Sequence, residues 1–134
     1  MDETKRQELL TVTNAPGGFT DYIGVRITRV SDGVAESEVD ITSCHINPIG
    51  TVHGGVLVTM MDQAAGTASA SLSPAGGTVD CDVHFLAAAR TGHLTCRAEV
   101  LRAGGRISVA RAQVRDDAGI LIADGTYTFS HPVK

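Results

Sequence analysis

Asn47-Pro48-Ile49-Gly50-Thr51-Val52-His53-Gly54-Gly55 runs straight into an apolar segment, Val56 to Ala70, in which Asp62 is the only ionisable residue. A polar, glycine-marked loop that opens a buried helix is suited to handling an acyl carbonyl. The adjacent Gly54 and Gly55 let the backbone approach a ligand closely. The first N–H groups of a helix have no partner within it, so they can face an oxygen that gains negative charge. Asp62, set among Val58, Thr59, Met60, Met61, Gln63, Ala64 and Ala65, is the candidate base, because burial disfavours the ionised carboxylate and raises its pKa toward a working range.

Distance constrains how these groups cooperate. Gly54 and Asp62 are eight residues apart, which is about 12 Å along a helix axis, too far for both to serve one carbonyl. Two such helices lying antiparallel across a two-fold axis would bring the start of one beside the middle of the other. The expectation is therefore an active site shared between subunits, and an obligate dimer.

His53 can orient a substrate oxygen, take part in proton transfer, or cap the loop by hydrogen bonding. Asn47 can hold a water or a carbonyl with its donor and acceptor, and Asn before Pro is also an ordinary turn former. His45, His84, His93 and His131 show no ligand spacing and read as solvated or core polar groups, so no metal is expected. There is no GxSxG elbow, Walker loop or GxGxxG after a strand. Cys44 and His45 are adjacent, and neighbours in extended chain point to opposite sides, which makes them a poor nucleophile–base pair.

The elements that must position these groups follow from periodicity. A short charged helix over Asp2 to Val12 ends at the turn formers Thr13 to Gly18. Gly24 to Val30 and Val34 to Ile41 alternate as strands about Ser31-Asp32-Gly33, a hairpin turn. Gly55 to Leu72 is too long for a strand and too evenly apolar for a surface helix, and its Leu, Met and Ala content favours a helix buried on nearly all sides. Ser73-Pro74-Ala75-Gly76-Gly77 stops it. Val79 to Phe85, Leu94 to Val100, Ile107 to Arg115 and Ile120 to Phe129 then read as four strands. The order predicts an α+β fold in which a mainly antiparallel sheet of about six strands curves around one long helix. One helix cannot cover both faces of that sheet, so a second subunit is expected to protect the remainder.

The chain has 134 residues, 43% hydrophobic and 19% charged, with a formal net charge of −4. That size and composition fit one globular domain, residues 1–134, with residues 1–20 as N-terminal helix and lead-in. The acidic balance argues against a nucleic-acid surface and a polybasic membrane patch. Three widely spaced cysteines, Cys44, Cys81 and Cys96, form no disulfide framework or zinc pattern and read as reduced core residues. The charged first residues lack the apolar core of a secretory signal and no apolar run is long enough to span a bilayer, so a cytoplasmic protein is expected.

The spacing Asn47-x-x-Gly50-x-x-His53-Gly54-Gly55 followed by Asp62, with Val79 to Ala88, Gly92 to Leu101, Gly105-Arg106 and Gly119 to Thr128, resembles the PaaI-type hotdog-fold acyl-CoA thioesterases over most of Tyr22 to Phe129. The resemblance implies that Asp62 acts as base on water or directly as nucleophile. It implies that the Gly54 N–H polarises the thioester carbonyl, and that Asn47 and His53 position the thioester and the attacking water with help from the Thr78 hydroxyl. It further implies a homodimer, usually a dimer of dimers, and no metal or organic cofactor, CoA being part of the substrate. Gly55, Leu57 and Met61 are candidates to line the acyl site, and Arg90, Arg102 and Arg106, near predicted turns, are candidates for the CoA phosphates. Pro48 and Ala87-Ala88-Ala89 depart from the family pattern and bear on substrate preference. A non-catalytic acyl-CoA-binding or sensor domain on the same fold is the alternative, and loss of the acid would mark it. A hotdog hydratase would need a paired His and acid in a different loop arrangement, which is not found.

Overall fold

The computed structural model describes residues 1–74 and 76–132. Its elements are α1 (Glu3–Thr13), α2 (Phe19–Ile23), β1 (Arg26–Ser31), β2 (Val34–Asp40), α3 (Gly54–Ala70), β3 (Thr78–Phe85), β4 (His93–Ala103), β5 (Ile107–Arg115) and β6 (Leu121–Ser130), with a single 3-10 turn at Ser43–His45. The strands form one antiparallel sheet in the order β1-β2-β4-β5-β6-β3. The helix α3 packs against one face and touches all six strands. This is the α+β arrangement expected from the sequence, with every anticipated strand present. Ala75, within the expected helix stop, lies outside the described residues.

Small side chains let α3 come close to the sheet. Ala64, Ala65 and Ala68 on the helix and Ala98, Ala110 and Ala112 on β4 and β5 are all fully buried, and Met60, Met61, Leu94, Val114 and Ile122 fill the space around them. Burying this much apolar surface is what stabilises the layer, at about 25 cal/mol per Å². Polar ties fix the helix in register. The Ser37 hydroxyl donates to the Met60 carbonyl at 2.8 Å, and Ser71 Oγ accepts the Gly33 N–H at 2.8 Å while donating to the Ala68 carbonyl. The β1–β2 turn is thereby pinned to the C-terminal end of α3.

β3 is an edge strand that pairs only with β6, from Thr78 opposite Phe129 to Phe85 opposite Ala123. It can lie there because β6 carries Gly125: a Cβ at that position would sit 2.7 Å from the Asp82 carbonyl oxygen and 3.1 Å from Met61 Cε. Beyond Gly125 the strand is barely covered. Val79 and Phe85 are 61% and 55% exposed, and only Val83 is half-buried. The alternation of Val79, Cys81, Val83 and Phe85 therefore does not place them in the core of a single chain, since α3 is too narrow to reach the sheet edge.

Two further expectations change. The cysteines are not uniformly core residues: Cys96 is buried, but Cys44 lies exposed in the 3-10 turn and Cys81 on the uncovered edge strand. Burial pushes the Cys96 thiol up to about 12. The N-terminal helix is present, capped by the Asp2 carboxylate accepting the Lys5 N–H at 2.8 Å, but the turn-former cluster after it is followed by a second helix, α2. Its five residues are too few to show a period.

At the start of β4, His93 places Nδ1 2.7 Å from Asp40 Oδ1 and Nε2 3.2 Å from Glu38 Oε2. The hydrogen bond to Asp40, aided by the Glu38 charge and opposed by partial burial, holds the imidazole above its ordinary 6.5. A raised folded-state value means that protonated His93 stabilises the fold below the unfolded value and that this contribution disappears as pH rises through the folded one. The melting-temperature difference between wild type and His93→Gln is therefore expected to be largest below the ordinary imidazole value of 6.5 and to fade as pH rises above it through the raised folded-state value. A difference independent of pH would contradict this ion pairing. For β3, Gly125→Ala is expected to cost about 1–3 kcal/mol through overpacking, read as a lower urea midpoint; an unchanged midpoint would contradict the close approach.

Candidate active site

The loop before α3 is built by Asn47. Its Oδ1 accepts the N–H groups of Ile49 at 3.1 Å and Thr51 at 3.0 Å, and its Nδ2 donates to Thr51 Oγ1 at 2.8 Å. Gly50 turns the chain with φ +83°, a left-handed conformation that disfavours side chains. The loop is then stitched to the sheet end and the 3-10 turn, with the Val52 N–H donating to the Ala89 carbonyl at 2.7 Å and the His53 N–H to the His45 carbonyl at 2.8 Å. His45 is buried, its Nδ1 accepting the Thr42 N–H and its Nε2 donating to the Ile23 carbonyl. With both nitrogens engaged it is not available to the exposed Cys44.

His53 is the N-cap of α3, with Nδ1 accepting the Gly55 N–H at 2.8 Å and the ring itself exposed. Capping thus occupies one nitrogen and leaves Nε2 carrying the proton toward solvent. Among the described residues no group accepts the Gly54 N–H, so it remains an unfilled donor at the positive end of a helix of 17 residues. Gly54 opens into a hollow lined by Asn47, Thr51, Leu57 and the stretch Phe85 to Ala89. The Phe85 ring stands over it, with Cζ 3.1 Å from where a Cβ on Gly54 would be.

Asp62 belongs to a different hollow. Its Oδ1 accepts the Thr78 hydroxyl at 2.7 Å, and the carboxyl group is half-buried beside Val58, Thr59, Gln63, Cys81, Tyr127 and the α2 residues Phe19 and Thr20. Tyr127 donates its hydroxyl to the Val58 carbonyl at 2.9 Å. Burial, followed by the nearby Cys81 and Asp62, pushes this phenol well above its ordinary value, so it is a fixed neutral donor. Tyr127 and the α2 residues were not singled out from the sequence; Tyr127 could have been, as a phenol on an alternating strand needs a partner for its hydroxyl when buried.

The two hollows share no lining residue. Within one chain, then, the free amide and Asn47 lie at one end of β3, beside Phe85, and Asp62 lies at the other, beside Thr78. Of the remaining candidates, Leu57 lines the amide hollow, Gly55 is exposed at the helix start, and Met61 is fully buried against β6 near Gly125. Arg90 is exposed one residue beyond Ala89, at the amide end. Arg102 and Arg106 are exposed at the β4–β5 turn, where the Arg106 carbonyl accepts the His131 N–H. No group of three or more His, Cys, Asp or Glu side chains could hold a metal ion among the described residues, and no helix there is long and apolar enough to cross a membrane.

The thioesterase superfamily model matches residues 49–123, from within the loop through α3 and β3 to β5 and into the first residues of β6. An esterase-type relative from Halobacterium salinarum, named as a putative esterase, is 32% identical over 117 residues, covering 81% of this chain and 77% of its own. Acyl-coenzyme A thioesterase 13 of Homo sapiens is 29% identical over 134 residues, covering 96% of this chain and 94% of its own. The solved structure of the PaaI protein of E. coli superposes with a TM-score of 0.88 over 98% of this chain and 95% of its own, at 22% identity, a likeness of fold. The chain belongs to the thioesterase superfamily and has its hotdog fold.

Proposed function

We propose that the protein is an acyl-CoA thioesterase whose active site is completed by a second copy of the chain. The observation that carries this reading is the separation just described: a free helix-start amide at the Phe85 end of β3 and an acid at its Thr78 end, on an edge strand with both faces open to water. An eight-residue edge strand bearing Val79 and Phe85 and no Lys or Pro is a surface that invites pairing. Antiparallel pairing of two β3 strands about a two-fold axis sets the Thr78 end of one beside the Phe85 end of the other. Asp62 of one protomer then faces the Gly54 amide of its partner, twice per dimer.

In that arrangement the thioester carbonyl oxygen is received by the Gly54 N–H at the positive end of α3, which stabilises the oxyanion as it forms. Asp62 on the opposite side takes the proton of the attacking water, or adds to the acyl carbon itself, and the Thr78 hydroxyl fixes which carboxylate oxygen is free to act. On the first route the tetrahedral adduct collapses to the free acid and Asp62 passes the proton on to the departing CoA thiolate; on the second the thiolate leaves from an Asp62–acyl anhydride, which water then hydrolyses to release the acid and a proton for the thiolate. Asn47 and His53 present polar atoms at the amide end, with Nδ1 of His53 committed to the cap and Nε2 free for the thioester or water. Arg90, Arg102 and Arg106 are the cations offered to the CoA phosphates, and Gly55 and Leu57 lie at the helix start nearest the thioester, with Met61 packed beneath that surface against β6. The acyl-CoA thioesterase and the 1,4-dihydroxy-2-naphthoyl-CoA hydrolase among its relatives support CoA thioesters as the substrate class. No metal or organic cofactor is invoked. A dimer of dimers and a cytoplasmic location accord with this reading.

The alternative, a non-catalytic acyl-CoA sensor, retains binding without turnover, and a retained acid hydrogen-bonded to a hydroxyl weighs against it. The test is thiol release from a panel of aryl-, short- and medium-chain acyl-CoAs. Asp62→Asn is expected to lower kcat by about 10²–10⁴-fold with little change in KM, and Thr78→Val by less, about 10-fold. Equal rates for wild type and Asp62→Asn would overturn the mechanism, and tight binding with no turnover by wild type would favour the sensor.

A further inference from the structure

The segment between α1 and β1 is held at both feet and leaves its middle over Asp62. At the first foot, Asn14 pairs twice with Ile27, its Oδ1 accepting the N–H at 2.8 Å and its Nδ2 donating to the carbonyl at 2.9 Å. One residue earlier, the Thr13 carbonyl accepts from Gln63 Nε2 at 3.1 Å, which ties the segment to α3 at the residue after Asp62. At the second foot, the buried Val25 donates its N–H to the Thr20 carbonyl at 2.9 Å. Between these points α2 carries Phe19 into the wall of the Asp62 hollow, yet the ring is 66% exposed. Its neighbour Tyr22, 87% exposed, takes no part in that wall.

An aromatic residue held by a fixed frame and left largely in water, on the rim of a hollow that contains the acid, keeps apolar surface free to meet a ligand. The hollow measures about 570 Å³, within the range of small-ligand pockets and enough for an acyl group, but not for a whole CoA thioester. Its apolar surface comes from Val58, Tyr127 and Phe19, and Tyr127 is itself anchored by its hydroxyl and stacked on Phe129 with ring centroids 6.4 Å apart. Phe19 is thus the wall residue that rests on the surface, whereas Val58 and Tyr127 belong to α3 and β6.

Building on the thioesterase reading, we propose that Phe19 sets the length of acyl group the enzyme accepts, acting as the end wall of an acyl site that starts at Asp62. With the carbonyl beside Asp62, the acyl tail runs past Val58 and Tyr127 and stops against the Phe19 ring. Covering that ring supplies the apolar contact that distinguishes a chain of the right length from a shorter one. A longer chain must displace it.

The test compares wild type, Phe19→Ala, Phe19→Trp and Tyr22→Ala across straight-chain acyl-CoAs from short to long. Phe19→Ala is expected to raise the ratio of kcat/KM for long over short chains by about 10-fold, and Phe19→Trp to lower it by a similar factor; Tyr22→Ala keeps the wild-type ratio. Because Phe19 lies on the surface, its replacement leaves the core untouched. A second arm uses non-hydrolysable S-alkyl thioethers of CoA, with binding to each protein in the Asp62→Asn background read by calorimetry. There the same reordering of chain lengths is expected in Kd. Absence of turnover by wild type would remove the thioesterase reading and leave the binding arm to decide. Chain-length profiles of Phe19→Ala and Phe19→Trp that superimpose on wild type, in turnover where it exists and in binding otherwise, would overturn the role of Phe19.

Discussion

Two turns of α-helix stand between the Gly54 amide and Asp62, and this fixed spacing governs the rest of the molecule. The helix is packed close against the sheet through alanines, and a rise of about 1.5 Å per residue keeps its start and middle from meeting at one atom. The edge strand β3 runs alongside in the opposite sense, marking the acid with Thr78 and the amide with Phe85. A catalytic site assembled from these parts requires a second helix in reversed orientation. The chain leaves open the strand edge along which that helix could arrive.

This division explains features that would otherwise be costly. An exposed strand edge that carries Val79 and Phe85 is a liability in a monomer, and among the described residues nothing accepts the Gly54 N–H. On the proposed reading they are halves of one interface: pairing the strands covers Val79 and Phe85 and delivers the amide to the partner's acid. Fold stability and catalysis would then share a surface, and a lesion in β3 would disturb both. The arrangement also separates duties within a protomer. The Asn47 loop and His53 cap serve to hold the amide still, and Gln63, Thr78 and the α2 segment frame the acid.

Much of this was legible in the sequence, and the parts that were not have physical reasons. The Gly54-Gly55 start, the apolar run and its single acid specify a buried helix with an acid at its middle, and alternation specifies the strands β2 and β4. For β3 the alternation locates the strand but not its exposure, because period two reports which side chains share a face and is silent on whether anything covers that face. Cys81, which with Cys44 and Cys96 reads as a core residue because the three show no pairing or ligand spacing, lies on that open strand. Cys44 was misplaced because a small apolar-like residue in a 3-10 turn has no periodic signal. α2 was missed since Thr13 to Gly18 announces a turn and only five helical residues follow before Gly24. Phe19, the residue from which an acyl-length limit is inferred, sits in that blind spot. His53 was left open among three roles, and one of them, the cap, is now seen in its bond to Gly55.

The shared site is tested most directly by subunit mixing. Asp62→Asn removes the acid and Gly54→Pro removes the amide hydrogen. Proline fits the backbone of the first helical position, His53 before it already having φ −59° and ψ 133°, and its Cβ asks the Phe85 ring, 3.1 Å from that point, to shift by a few tenths of an ångström. Each variant alone is expected to be nearly inactive in thiol release from acyl-CoA. After the two are unfolded together and refolded, each hybrid dimer has one site with both lesions and one with neither, so activity should return to about a quarter of wild type at random assortment. Recovery at that level is the predicted result. Refolded hybrids that form but stay as inactive as the parent variants would show that Asp62 and Gly54 do not meet across the interface.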